Sequence, residues 1–356
     1  MKKYIFVLGR NPELSYVELI SYFKNYDIKY KKEYLFENIV VFSLDKFNID
    51  ISRLGGTVKI AEVVMEDKVK EINFYQGDKN KINYAVSVFG KNNFNGFGEF
   101  LKKWFKKEKI KAMLKKNIES IPSKDVLEFV ICDQYLGRVI EVSNPKEYKK
   151  RDNDRMHNDF VRSISIRLAK ILINLTQIKK GERLLDPFCG VGVLLEECLN
   201  QNIKCVGVEI DDKIRMEAMK NLKNFNSKGD FKVFKGDSSK INQFLPLKIN
   251  CVASEPYLGP YFKTYPKKGE VIKVVKELNG LYMSFFANLK KVLEKNGRVV
   301  MIMPVFRASN KKTYRLDLDK IFRKAGFKIA SLDEIQFPLK YEEKRSIVGR
   351  EIYVLE

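Results

Sequence analysis

From about residue 146 onward the apolar positions of the chain alternate between two periods. "RLLDPF", "KCVGVEID", "FKVFKGD", "INCVAS", "GRVVMIMP" and the final "EIYVLE" are short aliphatic runs closed by turn residues, the pattern of strands buried on both faces. Among them, "GVLLEECLNQ", "IRMEAMKNLKNF", "LYMSFFANLKKVL" and "LDKIFRKAGF" repeat apolar residues every three or four positions, as does "SISIRLAKILINL" ahead of the first strand. Strand and helix in turn predict an α/β fold, a mostly parallel sheet with helices on both faces. Ligands of such sheets sit at the carboxyl ends of the strands.

The first part of the chain follows another pattern. Residues 1–65 read strand, helix, strand, strand: "YIFVLG", "NPELSYVELISYFKNY", "LFENIVVFSL" and "LGGTVKIAEVVME". Residues 66–145 are richer in lysine, with twelve Lys against four Asp/Glu between Gln76 and Lys124. Within them "FGEFLKKWFKKEKIKAMLKK" predicts one long amphipathic helix. Its aromatic stripe is expected to face a core, and Lys102, Lys103, Lys106, Lys107, Lys115 and Lys116 are expected to form a phosphate-binding face.

Composition narrows the function. At 356 residues the chain is expected to hold two or three domains. An excess of 22 positive charges favours a polyanionic partner, nucleic acid or an anionic membrane surface. The five cysteines lack C-x-x-C spacing and the single histidine is His157, which argues against a zinc site, a disulfide framework and a His-dependent nucleophile; no metal is expected. No apolar run of spanning length occurs, and "MKKYIFVLGRNPELS" is a poor signal peptide, so the expected location is cytoplasmic, away from membranes.

The chemistry concentrates at three strand ends. "RLLDPFCGVGVLLEE" is strand, acidic turn, Gly-x-Gly and helix, with Gly190 and Gly192 allowing close approach of a ligand. It is similar to a dinucleotide fingerprint, but Asp186 would repel a pyrophosphate and suits a cationic ligand instead. Glu209 ends the next strand, spaced to accept both hydroxyls of a ribose, and Asp237 ends the third, spaced to accept from an adenine amino group. Together these acids resemble the class I S-adenosylmethionine-dependent methyltransferases.

At the end of the fourth strand stands "ASEPYLGP". It is similar to the Asp/Asn-Pro-Pro-Tyr/Phe element of methyltransferases that modify exocyclic amino groups of nucleobases. An amino lone pair delocalised into a base is a weak nucleophile. An acid and a neighbouring carbonyl can orient its N–H groups, a proline fixes that carbonyl, and a ring stacks on the base. One proline of the element is missing here. Either Glu255 takes the acid's place with a one-residue contraction, the preferred alignment because Glu255, Pro256 and Tyr257 stay consecutive, or Ser254 does so without one.

Beyond these motifs, "VLGRNPELSYVELISYF", "RLGGTVKIAEVV" and "GRVIEVSNPKEYKKRDNDRMHNDFVRSISIRLAKILINL" resemble the archaeal and eukaryotic-type tRNA guanine-10 N2-methyltransferases. The resemblance implies a ferredoxin-like domain over 1–65, a THUMP RNA-binding domain over 66–145 and a Rossmann-like methyltransferase domain with a seven-stranded, mostly parallel sheet over 146–356. It implies S-adenosylmethionine as cofactor, with Phe188, Ile210 and Ser238 joining the contacts above, and tRNA as partner. It leaves room for a small activating subunit and otherwise implies a monomer. The competing expectations are methylation of a ribosomal RNA guanine or a DNA adenine, and an inactive RNA-binding homologue.

Overall fold

The computed structural model describes residues 1–68, 72–92, 94–115, 126–157, 163–226, 228–341 and 346–356. The chain divides into two compact units, Met1–Tyr16 with Tyr26–Arg151 and Val17–Asn25 with Asp152–Glu356.

The first unit contains β1 (Lys2–Leu8), β2 (Tyr30–Phe36), β3 (Ile39–Leu44), β4 (Thr57–Glu66) and β5 (Lys81–Asn92); α1 (Pro12–Asn25), between β1 and β2 in the chain, belongs from Val17 onward to the second unit. After them come α2 (Phe97–Lys107), β6 (Lys111–Leu114), β7 (Val126–Asp133), β8 (Tyr135–Val142) and α3 (Pro145–Asp154), whose last three residues belong to the second unit. Its strands form one sheet in the order β2-β3-β1-β4-β8-β7-β5-β6, so β4 is bonded both to β1 and to β8. On α2, Phe97, Leu101, Trp104 and Phe105 are buried while Lys102, Lys103, Lys106 and Lys107 are exposed. Phe74 is the hub of that core, with edge-on rings of Phe97, Trp104 and Phe129 at 5.8, 5.3 and 5.9 Å.

Two expected elements are corrected here. "LFENIVVFSL" is not one strand but the end of β2 and all of β3, because Glu37 adopts a left-handed conformation (φ 48°) and turns the chain back. The single helix expected across 97–116 stops at Lys107, where Lys109 turns left-handed (φ 57°), and "KAML" continues as β6, parallel to β5. An edge strand gains the backbone hydrogen bonds of a sheet, which outweighs the helical propensity of its residues. The hairpin of β7 and β8 has no counterpart among the expected elements.

The second unit carries the alternating pattern. In order these are α4 (Ile166–Leu175), β9 (Arg183–Asp186), α5 (Val193–Asn200), β10 (Lys204–Glu209), α6 (Asp212–Asn226), β11 (Phe231–Lys235) and β12 (Ile249–Ser254). Then come α7 (Lys268–Val292), β13 (Leu293–Arg307), β14 (Thr313–Arg315) and α8 (Leu318–Ala325). The small pair β15 (Ser331–Leu332) and β16 (Ile335–Gln336) precedes β17 (Leu339–Tyr341) and β18 (Gly349–Leu355). The sheet order is β11-β10-β9-β12-β13-β18-β17, with β14 attached to β13. β9 through β13 pair in parallel, and β18 enters antiparallel between β13 and β17.

The helix expected over 281–293 is 25 residues long and begins at Lys268, because Val271, Val274 and Leu278 extend its buried stripe back by three turns. Its rings pack the core: Phe286 meets Phe285, Phe322 and Phe327 edge-on at 5.0, 5.0 and 5.7 Å. All five cysteines are buried and free. Among the described residues no helix is long and apolar enough to cross a membrane, and no group of three or more His, Cys, Asp or Glu could hold a metal.

Candidate functional site

The strand order reverses between β9 and β12. From β9 the chain builds outward through β10 and β11, then returns to lay β12 on the other side of β9. The loops leaving β9 and β12 diverge at that point, which opens a crevice at their carboxyl ends. Both strands end in a polar residue there. Ser254 is fully buried, and its hydroxyl donates to Asp186 Oδ1 at 2.6 Å.

Asp186 is 4% exposed and also accepts from the Phe188 N–H at 3.2 Å. Burial pushes its pKa up to about 7. The charges of Glu209 and Glu255 push the same way, against the two hydrogen bonds. A carboxylate so poorly hydrated is stabilised by a cation brought beside it. The turn that follows is open to such a ligand. Gly190 is left-handed (φ 50°) and a Cβ added to it would meet nothing within 4 Å, while left-handed Gly192 (φ 93°) starts α5.

Glu209 ends β10, and its two oxygens accept from the Gly190 N–H at 3.1 Å and the Asp211 N–H at 2.9 Å. Each oxygen keeps a lone pair for a further donor. Ile210, the next residue, is an apolar side chain left 66% exposed. Asp237 caps the short helical turn after β11 by accepting from the Ser239 N–H at 2.9 Å. Ser238 is buried and its hydroxyl donates to the Pro187 carbonyl, so it ties two of the strand-end loops together. Phe188 packs edge-on to Phe285 at 5.3 Å. The donor set therefore suits S-adenosylmethionine: buried acid for positive charge, an unobstructed glycine turn, a second acid for hydroxyls and an exposed aliphatic face.

The turn after β12 carries the remaining expected residues. Glu255 accepts from Arg350 Nε on β18 at 2.5 Å, with both side chains more than four-fifths buried. Arg350 Nη1 is buried and has no hydrogen-bond partner among the described residues. Sequence reasoning missed Arg350, since it lies 95 residues from Glu255. Only the antiparallel insertion of β18 beside β13 brings it there. Pro256 is buried, whereas Tyr257 is 56% exposed. The Tyr257 carbonyl accepts from Tyr282 Oη at 2.6 Å, which fastens the turn to α7.

The expected phosphate-binding lysines belong to the first unit. Lys102, Lys103, Lys106 and Lys107 are exposed on α2 and Lys115 is exposed after β6. Lys116 lies outside the described residues.

Residues 157–320 match a family model described as the RMKL-like methyltransferase domain, and residues 21–220 match one described as a DNA methylase. A protein of Methanothermobacter thermautotrophicus named "tRNA (guanine(10)-N2)-dimethyltransferase" is 30% identical over 142 residues, 40% of this chain and 39% of that relative. One from Methanothermococcus thermolithotrophicus, named "Probable tRNA (guanine(10)-N2)-dimethyltransferase", is 32% identical over 158 residues, 44% of this chain and 88% of the relative. The match thus spans about two-fifths of the length of the first of these relatives. Among solved structures, TrmN from Thermus thermophilus shares the fold, with a TM-score of 0.56 and 14% identity over 99% of each chain.

Proposed function

We propose a function from one premise: the chain belongs to the tRNA (guanine(10)-N2)-dimethyltransferase family. It transfers methyl groups from S-adenosylmethionine to the exocyclic 2-amino group of a guanosine in tRNA, at the position named for its relatives. The observation that carries this reading is the Ser254–Asp186 hydrogen bond of 2.6 Å across the switch point, with the Glu255–Arg350 pair beside it. It joins a site for a cationic cofactor to the turn that would hold the base.

Bound there, S-adenosylmethionine would supply an activated methyl group on a positively charged sulfur. Asp186 balances that charge, Gly190 leaves the approach open, Glu209 accepts from ribose hydroxyls and Asp237 from the adenine amino group. Arg350 holds Glu255 through Oε1, which leaves Oε2 to accept an N–H of the guanine amino group. That bond draws the nitrogen out of conjugation with the ring and gives its departing proton an acceptor. The Pro256 carbonyl, fixed by its ring, takes the second N–H, and the exposed Tyr257 ring stacks on the base. The first unit supports the reading through its exposed lysines, and we assign 66–145 as the RNA-binding THUMP domain and 1–65 as the ferredoxin-like domain.

The match to a DNA methylase model favours a second reading, transfer to an adenine amino group in DNA. Methyl transfer to bulk tRNA, ribosomal RNA and duplex DNA, with the products identified as nucleosides by mass spectrometry, separates the two. N2-methylated guanosine from tRNA alone is expected. Methylated adenine from DNA, with tRNA unmodified, would overturn the proposal.

A further inference from the structure

Seventeen tyrosines occur in the chain, and three are exposed among the described residues. All three stand within nine residues of one another beside the proposed base-binding turn: Tyr257, Tyr261 and Tyr265, exposed by 56%, 73% and 49%. A ring left in water forgoes the burial that stabilises the other fourteen, so three together in one loop call for an occupant.

The loop is held in shape from below. Pro266 is buried, and its carbonyl accepts from the Ser309 N–H at 2.8 Å. Gly259 is left-handed (φ 100°) and lies so close to Val274 and Phe306 that a Cβ there would stand 3.0 and 3.3 Å from them. The Arg307 guanidinium lies over the Tyr265 ring at 5.7 Å. These contacts fasten the loop to the end of β13, which runs six residues beyond Met301, the partner of Ser254. At the rise of a strand that is roughly 20 Å past the carboxyl edge of β12.

Charge selects the occupant. Residues 256–269 contain Lys263, Lys267 and Lys268 and no acid before Glu270, which accepts from the Lys267 N–H; residues 305–316 add Arg307, Lys311 and Lys312, while Arg315 is paired with Glu351. Aromatic faces beside an excess of positive charge match unpaired nucleotides, whose bases stack without regard to sequence and whose phosphates need cations. A duplex offers the charge but keeps its base faces covered. An acidic protein would satisfy the lysines and leave the rings unexplained.

We propose that this surface of the second unit, Tyr261 and Tyr265 with Arg307 and the adjoining lysines, takes the single-stranded nucleotides that flank the target base. The proposal rests on the methyltransferase reading and deepens it. Nucleotides gripped here stay unstacked from the target, which lowers the cost of drawing it out.

The test uses the full-length protein and the variants Tyr261→Ala/Tyr265→Ala and Lys263→Gln/Lys267→Gln/Lys268→Gln. Binding of a labelled single-stranded RNA hexamer and of a duplex of equal length is measured by anisotropy against salt, beside tRNA methylation and S-adenosylmethionine affinity. The tyrosine variant should lose roughly tenfold in hexamer affinity for each base unstacked, keep the salt slope and keep the cofactor affinity. The lysine variant should flatten the slope by about one to two units. Equal losses on duplex and hexamer would overturn the assignment to single strands. Unchanged hexamer affinity in the tyrosine variant, with the parent methylating tRNA, would overturn the surface and leave the methyltransferase reading intact. A parent that neither binds nor methylates any RNA would overturn both.

Discussion

A carboxyl group as buried as Asp186 should make cofactor binding depend on pH. Its pKa is pushed up from 3.8 to about 7, first by burial and then by the charges of Glu209 and Glu255. Between those values the folded chain holds a proton that the unfolded chain has released, so its stability falls as pH rises through that window. A cationic ligand acts in the opposite sense, because it favours the carboxylate and must displace the proton wherever the pH is below about 7. If the liganded carboxylate stays ionised, a midpoint of about 7 gives an affinity for S-adenosylmethionine about 25-fold lower at pH 5.5 than at pH 7.5, or about 2 kcal/mol. Asp186→Asn keeps the shape and cannot titrate. It should bind more weakly by about 1–3 kcal/mol at pH 8, with little pH dependence. Ser254→Ala removes a hydrogen bond that lowers the Asp186 pKa, so its midpoint should move above that of the parent. Titration calorimetry in two buffers of different ionisation enthalpy measures both the affinity and the proton released. A parent affinity that is flat from pH 5.5 to 8.5, or a variant as steep as the parent, would refute the placement of Asp186 against the cofactor's charge.

The other predictions follow from the same residues. Arg350→Ala should free the Glu255 carboxylate and lower turnover on tRNA by about tenfold or more while S-adenosylmethionine affinity holds. Arg350→Lys should restore part of that turnover, and equal turnover in all three proteins would remove Arg350 from the mechanism. Arg155 grips the buried Glu196 with bonds of 3.0, 3.1 and 2.7 Å, so Arg155→Met should cost about 3–5 kcal/mol in the unfolding of the second unit. A denaturant midpoint equal to that of the parent would show the pair to be unimportant. Replacing Lys102, Lys103, Lys106 and Lys107 together by Gln should flatten the salt dependence of tRNA binding by up to about one unit per phosphate contact. An unchanged slope would mark that face as merely solvated.

What was legible depended on range. In the second unit β9, β10 and β12 are buried on both faces and the edge strand β11 is a short run closed by a turn, so the elements from β9 to β12 stand out from local pattern alone. The start of α7 was hidden because Gly269 and Gly280, both poor helix residues, interrupt a stretch dense in lysine. The turn at Glu37 and the break at Lys109 use left-handed residues other than glycine, which carry no strong turn signal. Asp186, Glu209 and Asp237 could be picked out because strand ends are visible locally. The Ser254–Asp186 bond spans 68 residues and the Glu255–Arg350 pair spans 95, so neither could be read without the strand order. The first follows from the reversal between β9 and β12, a general feature of such sheets. The second needs the antiparallel entry of β18, for which "EIYVLE" gives no direction.

The central claim is that the turn after β12 presents a base to a cofactor held by Asp186 at the switch point. Its most direct test is single-turnover methyl transfer to tRNA by Glu255→Ala, with S-adenosylmethionine affinity and tRNA affinity measured on the same preparation. Turnover should fall by about two orders of magnitude or more, the scale of a lost positioned polar group, while both affinities stay within about twofold of the parent. A Glu255→Ala enzyme that methylates guanosine at the parent rate, or one that loses activity only because it no longer binds the cofactor, would contradict the claim.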